Sequence, residues 1–514
     1  MSRALVIIEA PGKIRRLEAL LAATRRGRTR VVATGGHIAD FPERPDAPDI
    51  DWEGATPGRR IRAEVAARLR SAIAAANPEE ILIATDDDEE GDVIAWDLAE
   101  LLGESGLPLR RLRLGALTRE ALEAALARAE APNALTAAPG MTRAIADRLL
   151  GFRMSCGTGC AIGRVLSPLL SLARAGEFRR RAAVLAIPRD GGGPPFRARL
   201  RLDEEELGRL RRAPDGAAPR ALAALPPSAD AAPPPAGTGW LLLRLIEEAG
   251  LDLDEAEATL QRLYEAGRLS YCRAEGRPLP PEGVRILARS LGWTASVALP
   301  ARPEAASGHP APYPLEDIPL ASPPERLDHE TAALVLIGRA QAEAVLQAWS
   351  RPAPADWRGW LAARGIADGA AMPAPVAPAG RPLPWLRGPA PGLGIIDQPL
   401  AARVLEAMLA HGLGRPSTFA RHVRRLLGRG LLRPDGGLTP RGEAWLDAAP
   451  PALREPAMSR RIEEMCRRPA EGEDGDTAPW RRRFARLRDG LPPALREAAL
   501  NCVERPAIGP PRPR

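Results

Sequence analysis

The sequence contains almost no lysine. Lys13 is the only lysine among the 72 lysine and arginine residues of the 514-residue chain. One lysine that survived by chance in an arginine-biased sequence would explain this. The alternative is that position 13 needs a compact ammonium group, which a planar guanidinium does not replace. The sequence therefore marks Lys13 as a candidate site residue.

Cysteines and long apolar runs are also scarce. The five cysteines include no C-x-x-C pair, which argues against a disulfide framework and against a zinc ribbon. No apolar run approaches the roughly 18 residues that span a bilayer, and the N-terminus lacks the pattern of a signal peptide. No G-x-x-x-x-G-K-[ST] phosphate loop is present. We therefore expect a cytoplasmic protein with reduced thiols, no membrane partner and no nucleoside triphosphate.

The charge balance is basic, with one acidic exception. A net charge of +7 and a pI near 9.7 favour a polyanionic partner. Five consecutive carboxylates, residues 86 to 90, nevertheless follow the apolar run "ILIAT". A solvated acidic loop at a helix N-terminus is one explanation. A cation site beside the polyanion is the other.

Two segments have the pattern of a buried strand, a loop and an amphipathic helix. "ALVII" (4–8) precedes "EAPGK", and residues 81–85 precede the acidic cluster. In a parallel sheet such loops meet at the carboxyl ends of the strands, so Glu9 and Lys13 should lie near the acids. In an extended chain Asp86, Asp88 and Glu90 would face one side and would suit Mg²⁺.

A candidate nucleophile stands in the extended piece "LSYCR". Only three tyrosines are present, and alternation places Tyr271 and Arg273 on the same side. A phenol with a pKa of about 10 is a poor nucleophile at neutral pH. A neighbouring arginine would favour the ionised phenol and could bind a pentavalent phosphate. On this pattern alone, ordinary core packing of Tyr271 is the other explanation.

These segments resemble a known family. "LVIIEAPGK", "GGHIADFP" and "ATDDDEEGDVIAWDL" resemble, in order and spacing, the Toprim domain of type IA DNA topoisomerases, and "QRLYEAGRLSYCR" resembles the segment around their active tyrosine. The resemblance implies that Tyr271 is the nucleophile with Arg273 as its partner. It also implies that Glu9 acts in acid/base transfer and that Lys13 contacts the scissile phosphate. The implied Mg²⁺ ligands are Glu9, Asp86, Asp88 and Glu90.

Further blocks resemble the DNA-contacting segments of the family. They are "DRLLGFRMS", "CAIGRVLSPLL" and "GLGRPSTFARHVRRLLGRG". The resemblance implies DNA contacts by His37, Arg164, His309, Arg415, Ser417 and Thr418. Physically, Ser417 or Thr418 could cap a helix whose N-terminus binds phosphate. For the arginines of that helix, a solvated face of a packed winged-helix unit is the alternative.

The sequence departs from the family pattern at two places. Asp87 and Glu89 replace a proline and an arginine, and residues 274–276 replace T-D-S. Two uncompensated carboxylates near a phosphate cost Coulomb energy that a cation offsets. We therefore expect DNA binding to depend more strongly on Mg²⁺, and the double change Asp87→Pro, Glu89→Arg to relax that requirement.

The resemblance implies an α/β plus mostly α multidomain fold, in which a Rossmann-like Toprim domain, winged-helix domains and a β-rich arch form a toroid. The expected divisions are a Toprim domain (1–140), a DNA-binding winged-helix domain (141–190 and 396–490), an arch (191–235 and 326–395), a catalytic-tyrosine winged-helix domain (236–325) and a basic Pro-rich tail (491–514). "FRARLRL" (196–202) alternates strictly and predicts a half-buried strand with outward arginines.

The implied function is Mg²⁺-dependent, ATP-independent cleavage of one DNA strand through a 5′-phosphotyrosine, followed by strand passage and religation. A monomer acting this way would relax negatively supercoiled DNA. Two other classes stay open. A Toprim primase or nuclease would use the same acids without Tyr271, and a catalytically degenerate relative would bind DNA without forming a covalent adduct.

Overall fold

The computed structural model describes residues 2–24, 27–41, 50, 59–188, 195–211, 234–293, 309–346, 348–350, 362, 366, 370–372, 374–376, 383–386 and 392–503. The end of the expected tail (504–514) lies outside the described residues. So do large parts of the expected arch (212–233 and 351–361).

The strands lie mainly in the first 202 residues. They are β1 (Ser2–Ile8), β2 (Gly27–Ala33), β3 (Ala39–Asp40), β4 (Arg60–Ile61), β5 (Glu80–Ile83), β6 (Leu109–Arg111), β7 (Arg181–Ile187), β8 (Phe196–Leu202), β9 (Ala348–Ser350), β10 (Ala370–Met372), β11 (Ala374–Val376) and β12 (Gly392–Ile395). They form a parallel sheet in the order β2-β1-β5-β6, an antiparallel sheet in the order β10-β8-β7-β12, and two two-stranded ladders.

The helices occupy most of the remaining chain. They are α1 (Ile14–Thr24), α2 (Ala63–Ala76), α3 (Glu89–Leu102), α4 (Arg119–Ala127), α5 (Ala134–Asp147), α6 (Met154–Thr158), α7 (Leu166–Arg174), α8 (Glu204–Arg211), α9 (Thr238–Ala249), α10 (Leu253–Glu265), α11 (Pro281–Arg289), α12 (His329–Val345), α13 (Leu400–Ala410), α14 (Phe419–Gly428), α15 (Pro440–Ala448), α16 (Pro456–Arg467), α17 (Pro479–Gly490) and α18 (Pro493–Val503). No helix in the described part of the chain has the length and apolarity to cross a lipid bilayer.

The parallel sheet is buried on both faces. Val6 and Ile8 of β1 belong to the large core that includes α1 and α10, whereas Leu5 and Ile7 pack into the core with α2 and α3. Burial on both faces explains why β1 and β5 are continuous apolar runs rather than alternating ones. Because the strands are parallel, the loops that follow β1, β2 and β5 lie at one edge of the sheet.

A helical layer joins this sheet to the C-terminal part of the chain. Helix α5 packs against α3 on one side and against α16 and α17 on the other. Met141, Trp480 and Phe484 lie in the shared core. Residues 493–503, which the sequence assigned to the tail, form α18 and bury Leu495 and Ala499 in the same core. The alanine-rich composition of that segment concealed a packed helix.

Helices α9 to α12 surround the segment that carries Tyr271. Helix α12, which the sequence assigned to the arch, packs instead on α9 and α11, because it is apolar on nearly all sides. The expected extended piece around Tyr271 is an irregular bend, in which Leu269 forms an isolated bridge with Pro314. The group of helices around Tyr271 therefore includes α12, which ends at Val345.

The antiparallel sheet contains the strand that the alternation of "FRARLRL" predicted. Phe196, Ala198, Leu200 and Leu202 are buried on one face of β8. Its arginines lie on the other face, where Arg199 binds carboxylates of α9 and α13. This sheet is thereby attached to the helical units by ion pairs.

Candidate active site

Three loops meet at the carboxyl edge of the parallel sheet. Glu9 follows β1, the turn 34–36 follows β2, and the acidic cluster follows β5. The amides of Thr34 and Gly35 donate to the carbonyls of Ile8 and Glu9, at 2.8 and 2.9 Å, which holds the first two loops side by side. The convergence that the sequence predicted for Glu9, Lys13 and the acids is present.

Lys13 occupies an enclosed position. Its side chain is 3% exposed, and its ammonium forms a short ion pair with Asp86. The same ammonium lies 4.8 Å from the centre of the Tyr264 ring, in a cation–π arrangement. A compact cation is therefore held between one carboxylate and one aromatic face.

Tyr271 reaches the acidic cluster from the other unit. Its hydroxyl donates to Asp88 Oδ2 at 2.7 Å, and its backbone amide donates to the carbonyl of Gly115 at 2.9 Å. Its ring packs edge-on against Tyr264, with 5.5 Å between centres, and 4.8 Å from the ring of His309. Only 2% of the side chain is exposed. The phenol is thus fixed beside the Toprim acids.

The ionisation of Tyr271 differs from the sequence-based expectation. Burial raises the pKa of the phenol well above its usual value, and the charges of Asp88 and Asp86 raise it further. Arg273 lowers the pKa, as predicted, but its effect is outweighed. Tyr271 is consequently a neutral hydrogen-bond donor here, and its proton needs an acceptor. Arg273 itself lies 3.7 Å from Asp86 Oδ2.

Glu9 is the carboxylate of the site without a partner. No hydrogen bond or ion pair joins its side chain to another residue of the described chain. Burial, followed by the charges of Asp86 and Asp88, raises the pKa of Glu9 to about 7. Lys13 and Arg273 lower the pKa, but burial and the two aspartates outweigh them.

Glu90 does not join these acids. Asp88 is the N-cap of α3 and accepts from the amide of Gly91, so Glu90 already lies in the first helical turn and points elsewhere. Its carboxylate binds His37, Arg143 and Arg415. The prediction of one row formed by Asp86, Asp88 and Glu90 was wrong because it assumed an extended chain. No group of three potential ligands within the described ranges is arranged to hold a metal ion.

Asp87 and Glu89 are compensated, which corrects a premise of the sequence analysis. Asp87 forms an ion pair with Arg113 at 2.9 Å, and Nε2 of His309 lies 3.2 Å from its carboxylate. Glu89 binds three arginines, which are Arg143, Arg415 and Arg467. Burial by itself would raise the pKa of Glu89, but these arginines lower it. The Coulomb argument for a stronger Mg²⁺ requirement therefore loses its basis.

The carboxylate of Glu463 connects the arginines beside Glu89 and Glu90. It lies 3.0 Å from both Arg143 and Arg164. Burial would raise the pKa of Glu463, but Arg143, Arg164 and neighbouring arginines lower it to about 2. We call Glu89, Glu90, Glu463 and the arginines at positions 143, 164, 415 and 467 the ion network. It joins the Toprim domain to α16 and to the loop that precedes α14.

An open groove of about 700 Å³ leads to this network. Of the predicted DNA contacts, His37, Arg164, Arg415 and Thr418 line it. Arg164 and Arg415 are already paired with carboxylates. Four other lining arginines form no ion pair within the part of the chain that the structure describes: Arg421, Arg425, Arg429 and Arg441. These four are the groove's uncompensated cations.

The remaining predicted residues occupy different positions. Although burial lowers it, the hydrogen bond to Glu90 raises the pKa of His37, which lies between the groove and the acids. Thr418 is the N-cap of α14, but its hydroxyl binds the backbone of Arg415 rather than capping the helix. Ser417 is half-buried. His309 contacts the Tyr271 ring and Asp87, so it belongs to the site itself.

Sequence reasoning missed Arg113, Arg143, Glu463 and Arg467. The three arginines are distant in sequence from the acids that they bind, and Glu463 is distant from Arg143. In a chain with this many arginines, no local pattern distinguishes these few. The one feature of the sequence that pointed to them was the presence of acids at positions 87 and 89, because carboxylates there require basic partners.

Comparisons with known proteins agree with this geometry. A model of the Toprim domain matches residues 4–114. DNA topoisomerase 1 of Campylobacter jejuni is 30% identical over 168 residues, which are 32% of this chain and 23% of the relative. DNA topoisomerase 1 of Synechocystis is 26% identical over 337 residues, covering 54% of this chain and 37% of the relative. The chain thus spans well under half the length of these curated relatives.

The fold has a counterpart among solved structures. Full-length topoisomerase I from Thermotoga maritima superposes with a TM-score of 0.59 at 17% identity, over 97% of this chain and 90% of that one. The class that fold and site define is therefore a multidomain protein built on a Toprim domain. The resemblance to type IA DNA topoisomerases, stated from the motifs, is confirmed.

Proposed function

We propose that this protein is a type IA DNA topoisomerase. It would cleave one DNA strand through Tyr271, pass a strand through the break and rejoin the ends, as a monomer and without ATP. The observation that carries the proposal is the 2.7 Å hydrogen bond from the Tyr271 hydroxyl to Asp88. It places the candidate nucleophile of one unit at the acids of another. A cytoplasmic location remains the expectation from sequence.

The acids suit a magnesium ion. Glu9 and Asp86, with Asp88 beside them, offer hard oxygen ligands, and the charges of Asp86 and Asp88 add to the burial that raises the pKa of Glu9. Glu9, Asp86 and Asp88 would hold the ion once they are drawn closer together, because they are not arranged as a ligand group in the described structure, whereas Glu90 is occupied by the ion network. When bound, Mg²⁺ supplies charge that offsets the phosphate and the carboxylates together.

The side chains provide a balanced cleavage step. The Tyr271 oxygen bonds to phosphorus while the bond from phosphorus to the 3′ oxygen breaks. The phenolic proton passes to Asp88, which already accepts the hydrogen bond. Glu9 gives its proton to the leaving 3′ oxygen. Lys13 and Arg273 offset the charge that develops on the phosphate oxygens.

Religation is the reverse of this step. The 3′ hydroxyl returns its proton to Glu9 and attacks the phosphotyrosine, and Asp88 returns a proton to Tyr271. The ester stores the energy of the broken bond, so no external energy source is needed.

The groove supports single-strand binding. Arg421 and Arg425 of α14 project into it four residues apart, and Arg429 and Arg441 lie over the Trp445 ring, 5.7 and 5.0 Å from its centre. Cations interleaved with an aromatic ring form the kind of surface that holds a strand's backbone.

The test uses the fact that the chain has three tyrosines. A single-stranded oligonucleotide is incubated with Mg²⁺, denatured and probed for protein-linked DNA, with the label at either end. We expect an adduct that retains the 3′ label in the wild type and no adduct in Tyr271→Phe. Tyr313→Phe is the matched control, because it removes one phenol outside the site and should keep the adduct.

The outcomes separate the other two classes. Strand cleavage or nucleotide polymerisation that survives in Tyr271→Phe would identify a Toprim nuclease or primase. Binding without an adduct in the wild type would identify a degenerate relative. Either result would overturn the proposal.

A further inference from the structure

A second cavity, of about 690 Å³, lies on the Toprim domain. Pro11 and Ile14, from the loop and helix that flank Lys13, form one wall. The end of β2 and one face of α2 form the others. We call it the β2 cavity. Its polar lining comes from Arg30, Thr34, Arg62, Glu64, Arg68 and Ser71.

The lining of the β2 cavity is positively charged. Arg30 is exposed and forms no hydrogen bond or ion pair with the described chain. Arg62 has one partner, Glu64, at the long distance of 4.0 Å. Arg68 donates to the carbonyls of Ala33 and Thr34, so no carboxylate neutralises it. Three arginines and one glutamate leave the cavity suited to an anion.

Two buried polar atoms of residues in this lining have no hydrogen-bond partner. They are the hydroxyl of Thr34, a residue only 1% exposed, and Nε of Arg62. Buried polar groups are nearly always paired in folded proteins, because an unmade hydrogen bond costs free energy. Both atoms can donate, so an acceptor-rich ligand such as a phosphate would satisfy them once their side chains turn towards the cavity.

The β2 cavity and the groove are separated by one turn. Gly35 lines the cavity, and His37 lines the groove. Gly35 and Gly36 have φ of +74° and +99°, and a Cβ at either position would meet no atom within 4 Å. The turn is therefore bare and open. Its Gly35 amide is hydrogen-bonded to the carbonyl of Glu9, so a strand that crossed the turn would pass beside Glu9.

We propose that the β2 cavity binds backbone phosphates of the DNA strand on the side of the cut opposite to the groove. One continuous strand would lie in the groove, cross Gly35 and Gly36 beside Glu9, and enter the cavity. This inference rests on the proposed function. It assigns Arg30, Arg62 and Thr34 as binding residues for phosphodiester groups.

The test measures how binding depends on strand length. The full-length chain with Tyr271→Phe, which prevents cleavage, is titrated with single-stranded oligonucleotides of increasing length by fluorescence anisotropy. The test variant carries Arg30→Gln and Arg62→Gln in addition to Tyr271→Phe. The matched control adds Arg70→Gln and Arg128→Gln, which remove the same charge from exposed positions outside both cavities.

We expect the Arg30→Gln, Arg62→Gln variant to bind long strands about tenfold more weakly, with a slope of log affinity against log salt reduced by about 1.4. Short strands that fill only the groove should bind as before. Thr34→Val provides a second variant, because its hydroxyl has no partner and its loss should not disturb folding. Thr34→Val should also weaken the binding of long strands and leave the binding of short strands unchanged.

Three results would overturn the inference. One is an equal loss at all strand lengths, another is a loss no larger than in the control, and the third is competition by inorganic phosphate that is independent of strand length. The adduct assay with intact Tyr271 tests the proposed function separately. If the wild type forms the adduct but the Arg30→Gln, Arg62→Gln variant binds DNA like the control, the phosphate site in the β2 cavity is rejected and the proposed function stands.

Discussion

The ammonium group of Lys13 is enclosed by the Asp86 carboxylate and the face of the Tyr264 ring. A guanidinium is larger and planar, and it presents its donors as a fork rather than as a point. The enclosure gives a physical reason for one lysine in an otherwise arginine-only chain, and it favours the second of the two explanations drawn from composition.

A reciprocal exchange tests this reason. Lys13→Arg should lower the rate of adduct formation on the order of 100-fold, as expected when a preorganised cation beside a reacting phosphate is misplaced. Arg15→Lys, two residues away on the exposed surface of α1, should leave the rate unchanged. Equal rates for Lys13→Arg and the wild type would mean that the lysine is a relic of codon usage.

At the residue scale, the sequence predicted which residues form the site better than it predicted their protonation states. Glu9 and Asp86 lie together because they follow adjacent parallel strands, and Tyr271 and Arg273 reach them from another unit, where the resemblance rather than strand pairing placed them. The ionisation of Tyr271 could not be predicted, because it depends on burial and on charges brought by other segments. The protonation state of a side chain is therefore determined by the folded site around it, and a sequence motif does not reveal it.

The first turn of α3 determines which acids face the reaction. With Asp88 as N-cap, the chain changes from extended to helical between Asp88 and Glu90, so alternation no longer applies. Sequence patterning predicted the strand and the helix correctly, but it did not predict that the helix begins at Glu89. Because Glu90 is helical, its side chain points in a different direction from those of Asp86 and Asp88.

Glu89 stabilises the contact between α3 and the C-terminal helices. Glu89→Arg would place a fourth guanidinium against Arg143, Arg415 and Arg467. We expect a loss of stability of roughly 3 kcal/mol, because a partly buried pair is broken and like charges are left together. Thermal unfolding is the measurement. Glu123→Arg, at an exposed pair on α4, should cost far less.

A second change distinguishes charge from shape. Arg467→Glu combined with Glu89→Arg restores one opposite pair, so the double variant should be more stable than the sum of the two single changes. Additive losses would show that Glu89 acts through packing and not through the ion network.

Glu463 predicts a specific pH dependence of stability. Its pKa in the folded protein is about 2, below the usual 4.5, so its contribution is present above about pH 4.5 and is lost as the pH falls towards 2. Glu463→Gln should lower the melting temperature at pH 7, with a loss on the order of 3 kcal/mol. The difference from the wild type should shrink below about pH 4.5.

The neighbouring residue supplies the control for this experiment. Glu464 is exposed on the same helix, and Glu464→Gln should change the melting temperature little at any pH. A difference between wild type and Glu463→Gln that is constant from pH 7 to pH 3 would contradict the assigned pKa.

At the scale of the whole molecule, three consecutive aspartates join the Toprim domain to the Tyr271 unit. Asp86 lies near Arg273, Asp87 binds His309, and Asp88 accepts from Tyr271. Passage of a strand would require these contacts to separate and to form again. The departure at Asp87 thus adds a contact to the surface that must open.

Sequence patterns did not predict where every helix packs in the whole molecule. The resemblance of its motifs identified the Toprim domain, and the alternation of residues 196–202 predicted the strand β8, because local periodicity determines a half-buried strand. Helices α12 and α18 were assigned to the arch and the tail, because alanine-rich or uniformly apolar segments carry little periodic signal. Their positions are determined by packing with distant segments, since α12 packs on α9 and α11 and α18 buries Leu495 and Ala499.

The central claim is that Tyr271 breaks and rejoins one strand using the Toprim acids. The most direct measurement is relaxation of a negatively supercoiled plasmid with Mg²⁺ and without ATP, comparing the wild type with Tyr271→Phe and probing denatured products for linked protein. The account predicts relaxation and a covalent adduct in the wild type and neither in the variant. Relaxation that persists in Tyr271→Phe would contradict it.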